Sequence, residues 1–132
     1  MIKVAMTGVY VDDVAAAHAF YTDVLGFETR LHMDLGDDTL FVAVGAPAGA
    51  QPELQLLLEP GQGPIAESYR TALYEAGIPC IVFSVDDLLA EYGRLRGLGV
   101  RFTHPPQRQG PVLAAVFDDS CGNLVQLIQP KE

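Results

Sequence analysis

The chain repeats itself. Val9-Tyr10-Val11-Asp12-Asp13-Val14 returns as Phe83-Ser84-Val85-Asp86-Asp87-Leu88, and Leu25-Gly26-Phe27 returns as Leu98-Gly99-Val100. Leu54-Gln55-Leu56-Leu57-Leu58-Glu59-Pro60 returns, one residue shorter, as Val125-Gln126-Leu127-Ile128-Gln129-Pro130. The echoes keep their order and nearly their spacing. Internal similarity of this kind means two copies of one supersecondary unit, so a pseudo-twofold fold is expected, with a ligand cleft where the halves meet.

Length and charge narrow the options. A chain of 132 residues, 49% of them hydrophobic, is expected to fold as a single domain around an ample core. Within it the repeat marks module one at 1–60, a linker with a helix at 61–79, and module two at 80–132. Eight Lys and Arg stand against 17 Asp and Glu, a formal charge of -9. Such a surface repels phosphate backbones and anionic lipids, so neither a nucleic-acid nor a membrane partner is expected. No apolar run is long enough to span a bilayer, and Met1-Ile2-Lys3 runs straight into a strand-like segment. Two cysteines, Cys80 and Cys121, do not make a disulfide framework. A cytoplasmic, reducing location is the expectation.

Periodicity predicts the elements. Ile2 to Val11 is β-branched and apolar and reads as a strand. Asp12 and Asp13 supply N-cap chemistry for a helix from Val14 to Leu25, whose apolar residues Val14, Ala17, Tyr21, Val24 and Leu25 share a face. Gly26 stops it. Strands follow at Phe27 to His32, Thr39 to Val44 and Glu53 to Leu58, and Glu59 to Pro64 reads as a linker before a helix at Ile65 to Ala76. Module two repeats the plan. A strand at Cys80 to Val85 leads to a helix from Leu88 to Leu98, capped by Asp86 and Asp87 and stopped by Gly99. Strands then follow at Val100 to Thr103, Val112 to Phe117 and Leu124 to Ile128, the first broken by His104-Pro105-Pro106. The fold class is α+β, built from two βαβββ units.

Three stretches carry a family resemblance: the Val-Asp-Asp caps, Phe20-Tyr21-Thr22-Asp23-Val24-Leu25-Gly26-Phe27, and Phe117-Asp118-Asp119-Ser120-Cys121-Gly122-Asn123. In these, and over nearly its whole length, the chain resembles the vicinal oxygen chelate superfamily of glyoxalase I, bleomycin-resistance proteins and extradiol dioxygenases. The resemblance implies paired βαβββ modules forming a cup-shaped, partly closed sheet around a ligand cavity, and a homodimer with cavities near the interface. It also implies a divalent metal held by His, Glu or Gln from the first and last strand of each module. The matching positions here are Met6, seven residues before Asp13, its repeat partner Cys80, then Gln55 and Gln126. A thioether, a thiol and two neutral amides are poor donors for hard divalent ions, and none can serve as a carboxylate base. Glu53 in place of Gln55, or a soft ion on Met6 and Cys80, would be the ways to recover a metal. Otherwise Met6 and Cys80 are apolar lining, with no metal, cofactor or catalytic residue expected.

The remaining candidates are weaker signals. His18 reads as a helix-surface residue and His32 as a turn or solvent-facing one, while His104 stands where a strand reaches the cup mouth, within reach of a ligand. The apolar neighbours of Cys80 argue against a reactive thiolate. Gln55 and Gln126 either bond to each other or to local backbone, or they orient a polar ligand. Phe41, Phe102, Phe117 and Tyr10 are core or cup residues; Arg101 and Arg108 would bring positive charge to the mouth. Together Met6, Gly8, Tyr10, Gln55, Leu57, Cys80, Val82, His104, Gln126 and Ile128 form the expected ligand-binding set. It is apolar with a few placed polar groups, and Gly8 leaves room for a ligand. The expected function is metal-independent binding or sequestration of a small apolar or aromatic molecule, an antibiotic being one case. The alternative is a metal-dependent lyase or dioxygenase with an atypical metal site.

Overall fold

The computed structural model describes residues 1–130. They form two compact units, Met1–Glu67 and Ser68–Glu132, of which the second is described to residue 130.

The first unit holds β1 (Met6–Val11), α1 (Val14–Ala19), β2 (Glu28–Asp34), β3 (Leu40–Gly45) and β4 (Gln55–Pro60). Its sheet has the order β1-β4-β3-β2, with β1 parallel to β4 and the other pairs antiparallel. The Asp13 side chain accepts from the Ala16 amide at 3.1 Å, the expected cap. The helix is shorter than its apolar stripe suggested. After Ala19 the chain widens into a π-helical turn over Phe20–Val24, where the Leu25 amide donates to Phe20 O at 3.1 Å. Thr22 Oγ1 donates to His18 O at 2.8 Å, the kind of back-bonding that bends a helix. Gly26, at φ 89°, ends it as expected. Val9, Val11, Val42, Val44, Leu56 and Leu58 turn to the helix side and are buried with Ala17 and Tyr21. Burial of one such Leu or Val contributes roughly 1.5–3 kcal/mol. The first five residues lie outside the strand, although the Gln55 amide donates to Ala5 O at 3.1 Å.

Helix α2 (Pro64–Glu75) carries the chain onward. The second unit adds β5 (Ile81–Ser84), α3 (Leu88–Gly97), β6 (Phe102–Gln109), β7 (Val112–Asp118) and β8 (Leu124–Pro130), in the sheet order β5-β8-β7-β6. Asp87 caps α3 by accepting from Ala90 N at 3.1 Å, repeating Asp13. Phe117, Val125, Leu127, Leu88 and Leu95 are buried, and Tyr92 of α3 meets the Phe102 ring edge-on at 4.7 Å. The expected break at His104-Pro105-Pro106 does not occur, because β6 continues to Gln109. It is an edge strand, where missing amides cost little, and its ladder shifts register between His104 and Gln107 to pass the prolines.

Candidate functional site

In each unit one sheet face packs on a helix. Strand alternation puts the other side chains on the opposite, open face. In the first unit β1 and β4 run in register, Met6 opposite Gln55, Gly8 opposite Leu57 and Tyr10 opposite Glu59. Met6, Gly8, Tyr10, Gln55 and Leu57 therefore do share one face. On β3 and β2, Ala43 lies opposite Leu57 and Leu31, and Phe41 opposite Met33, so these extend it. Met6 is 43% exposed and Met33 42%, which leaves an apolar surface only half covered.

Two polar groups stand out on it. Gln55 Oε1 is buried and has no hydrogen-bond partner among the described residues. A buried carbonyl oxygen left this way costs about 1–3 kcal/mol, a cost that a donor from outside would remove. The second group, Glu59, lay in the expected linker but belongs to β4. Its side chain folds back over Gly8, so that a Cβ there would collide with the carboxylate, with Cδ at 2.9 Å. The spacing Gln55, Leu57, Glu59 is a same-face pattern, and reading the strand two residues further would have found it. Arg30 reaches the same corner from β2. Its guanidinium lies over Gly45, and it donates to Gln51 O at 2.9 Å, Leu54 O at 2.8 Å, Ala46 O at 2.8 Å and Ala50 O at 3.0 Å. Nothing in the sequence marks it, because Arg30 is the extra residue at a ladder shift between Thr29 and Leu31.

In the second unit a row crosses the whole open face: Val82 on β5, Gln126 on β8, Val116 on β7 and His104 on β6. Ile128 follows beside Ser84. His104 is exposed, and its Nδ1 lies 3.2 Å from Thr103 Oγ1. Val82 is 50% exposed. In the repeat Met6 matches Cys80 and Gln55 matches Gln126, but the two registers differ: Gln55 lies opposite Met6, and Gln126 does not lie opposite Cys80. Gln126 faces Val82, while Cys80 precedes the strand and its amide donates to Leu124 O at 3.0 Å. Burial first, then the nearby Asp119 charge, pushes the Cys80 thiol up to about 12, well away from a reactive thiolate.

Donor chemistry decides against the metal that the resemblance implies. Among the described residues no three His, Cys, Asp or Glu come together to hold an ion. Met6 and Gln55 face each other, but a thioether beside an amide does not suit a hard divalent cation. Glu53, the expected substitute, lies before β4 and pairs with Lys3 instead. His18 and His32 are neighbours on the helix side of the first unit, with ring centroids 5.3 Å apart and His18 Nε2 at 2.6 Å from Thr29 Oγ1. His32 lies within β2 and is exposed, so of the two expected positions it takes the solvent-facing one and not the turn. Phe117 is core and Phe102, half-buried, packs against it with centroids 5.7 Å apart, whereas Tyr10 and Phe41 belong to the open face.

The second unit also has an open cleft of about 600 Å³, lined among others by Arg70, Tyr74, Glu75, Arg101 and Asp118. Three of its polar groups, Tyr74, Arg101 and Asp118, bond to one another. Tyr74 donates its hydroxyl to Asp118 Oδ2, and Arg101 Nη2 donates to the same oxygen at 2.6 Å and to the Tyr74 hydroxyl at 3.3 Å. Arg101 is thus tied to Asp118 and is not placed as a free charge at a ligand mouth. Burial works to raise the Asp118 carboxyl, but Tyr74, the Ser120 amide and Arg101 together hold it below its ordinary value. The bond to Asp118 in turn raises the Tyr74 hydroxyl above its own.

With two βαβββ units in place, comparison with known proteins is direct. Residues 3–127 match the model of the Glyoxalase/Bleomycin resistance protein/Dioxygenase superfamily, and the chain belongs to that family. It is similar to the protein YurT of Bacillus subtilis (strain 168), with 38% identity over 97% of this chain and 99% of that protein. Among solved structures it resembles UcmS2 at 30% identity and TM-score 0.81, covering 97% of this chain and 98% of the other. It also resembles TnmS3, an antibiotic binding protein from Streptomyces sp. CB03234. There the identity is 24% and the TM-score 0.75, over 99% of this chain and 98% of TnmS3. The last likeness establishes fold.

Proposed function

We propose that this protein binds or sequesters a small, largely apolar or aromatic molecule, an antibiotic being the concrete case, through side chains of its open sheet faces and without a metal. The binding set is Met6, Gly8, Tyr10, Gln55, Leu57, Cys80, Val82, His104, Gln126 and Ile128, acting in a cytoplasmic homodimer. One observation carries this reading: Gln55 Oε1 is a buried acceptor without a partner among the described residues, on a half-exposed apolar face. Binding sites are mostly apolar with a few polar groups that fix orientation, and an acceptor of this kind fits that pattern. The superfamily match and the likeness to an antibiotic binding protein support the same reading.

Native mass spectrometry of the purified protein, before and after adding Zn, Ni, Mn and Fe(II), tests it. The expected result is a dimer that retains no metal and carries or takes up an organic molecule. Stoichiometric metal would overturn the proposal in favour of a lyase or dioxygenase. Gln55→Leu should leave the fold intact and weaken binding of the recovered molecule by about tenfold, the value of one hydrogen bond to a buried group.

A further inference from the structure

The open face of the first unit is lopsided in its polar chemistry, and this deepens the proposal above, on which it rests. At one end are Glu59, Tyr10, Phe41 and Met33. The Glu59 carboxylate, drawn over Gly8, has no ion pair or hydrogen bond among the described residues. Gly8 is what permits this, since any side chain there would evict the carboxylate. A negative charge flanked by two aromatic rings on a half-covered apolar sheet is an arrangement that attracts organic cations, through charge and through the ring faces. Gln55 stands at the other end of β4, four residues and about 13 Å away along the strand. The only guanidinium placed on this face among the described residues is that of Arg30. It is at the Gln55 end and is engaged with four backbone carbonyls.

We infer that the ligand of this face carries a protonated amine attached to an apolar or aromatic body, and that Glu59 receives the amine, with Tyr10 and Phe41 beside it. Glu59 is then a specificity-determining residue, selecting cations over neutral and anionic molecules of the same shape.

Three probes of one shape test this: 2-naphthylmethylammonium, 2-naphthylmethanol and 2-naphthoate, titrated into the intact protein by calorimetry at low and high salt. The ammonium should bind about tenfold more tightly than the alcohol at low salt, with the gap narrowing as salt screens the charge, and the carboxylate should bind worst. Glu59→Gln should bring the ammonium down to the alcohol while leaving the alcohol unchanged. Asp37→Asn removes one charge in the β2–β3 turn, outside this face, and should keep the preference; this separates Glu59 from the overall charge of -9. Equal binding of ammonium and alcohol, or an ammonium preference that survives Glu59→Gln, would overturn the inference and leave small-molecule binding standing. Failure of all three probes to bind the folded protein would overturn both.

Discussion

The two units make the same connection in opposite ways. In the first, β3 is joined to β4 by residues 46–54; in the second, β7 is joined to β8 by 119–123. The first connection is gathered by a cation. Arg30 donates to four of its carbonyls, at 2.8 to 3.0 Å. The second is gathered by an anion. Asp119, fully buried, accepts from Cys121 N at 2.8 Å, from Asn123 N at 3.0 Å and from Asn123 Nδ2 at 3.1 Å. A turn must satisfy its own backbone groups. A fork of N–H donors gathers a loop that turns its carbonyls inward, and a carboxylate gathers one that turns its amides inward. Repetition of topology has therefore not required repetition of chemistry. The longer loop also leads straight into Gln55, so the arginine clamp sets where the proposed ligand-binding strand begins.

The anionic clamp should be the costlier one to lose. Asp119→Ala leaves two amides and a side-chain NH2 without their acceptor in a buried setting, at about 3–5 kcal/mol. Denaturant unfolding monitored by circular dichroism measures it. A loss under about 1 kcal/mol would mean that water replaces the carboxylate and that the turn holds itself.

Arg30→Met should cost less, about 1.5–3 kcal/mol, because the loop it gathers is largely exposed and water can reach the released carbonyls. The local effect should exceed the global one, with proteolytic cleavage within 46–54 faster than global unfolding allows. Lys in its place should not rescue, since an ammonium lacks the planar fork that spans four carbonyls. Gly45→Ala offers an independent check, since its Cβ would displace the guanidinium. Its cost should be smaller and should nearly vanish in the Arg30→Met background, as a double-mutant cycle would show.

How much of this was legible depended on whether a signal was local. The Asp13 and Asp87 caps, the glycine stops at Gly26 and Gly99 and the α+β repeat were all readable, because each is written in a few adjacent residues. Alternation alone groups Met6, Gly8 and Tyr10 on β1 and Gln55 and Leu57 on β4, and the register puts the two groups on one face. Three features were not readable. β6 survives two prolines because it is an edge strand, a property of strand order and not of composition. Arg30 acts from a ladder irregularity, which no period reveals. The partnership of Gln126 with Val82 and not Cys80 reflects a register in which the similar runs Gln55–Pro60 and Gln126–Pro130 are offset. Matching the letters aligned the glutamines, whereas the hydrogen bonds do not.

Acid should separate the two connections further. Asp118, the last residue of β7, leads into the second one: its Oδ1 accepts from Ser120 N at 2.8 Å, while Oδ2 binds Tyr74 and Arg101. Against the effect of burial, these partners hold its carboxyl below the ordinary value. A group with a lowered folded pKa adds stability that is fully present above its unfolded pKa, about 3.9, and is lost as pH falls through the folded value. The stability gap between the native protein and Asp118→Asn should therefore be constant from pH 7 to about 5 and should close below about pH 4. The four partners of Arg30 are backbone carbonyls and no carboxylate is among them, so the gap between the native protein and Arg30→Met should stay level over the same interval. Unfolding midpoints of the three proteins across pH 3 to 7 would show both behaviours. An Asp118→Asn gap that does not change with pH would mean that the shape of the side chain, and not its charge, holds the second connection. The contrast between a cationic and an anionic solution would then have to rest on Asp119 alone.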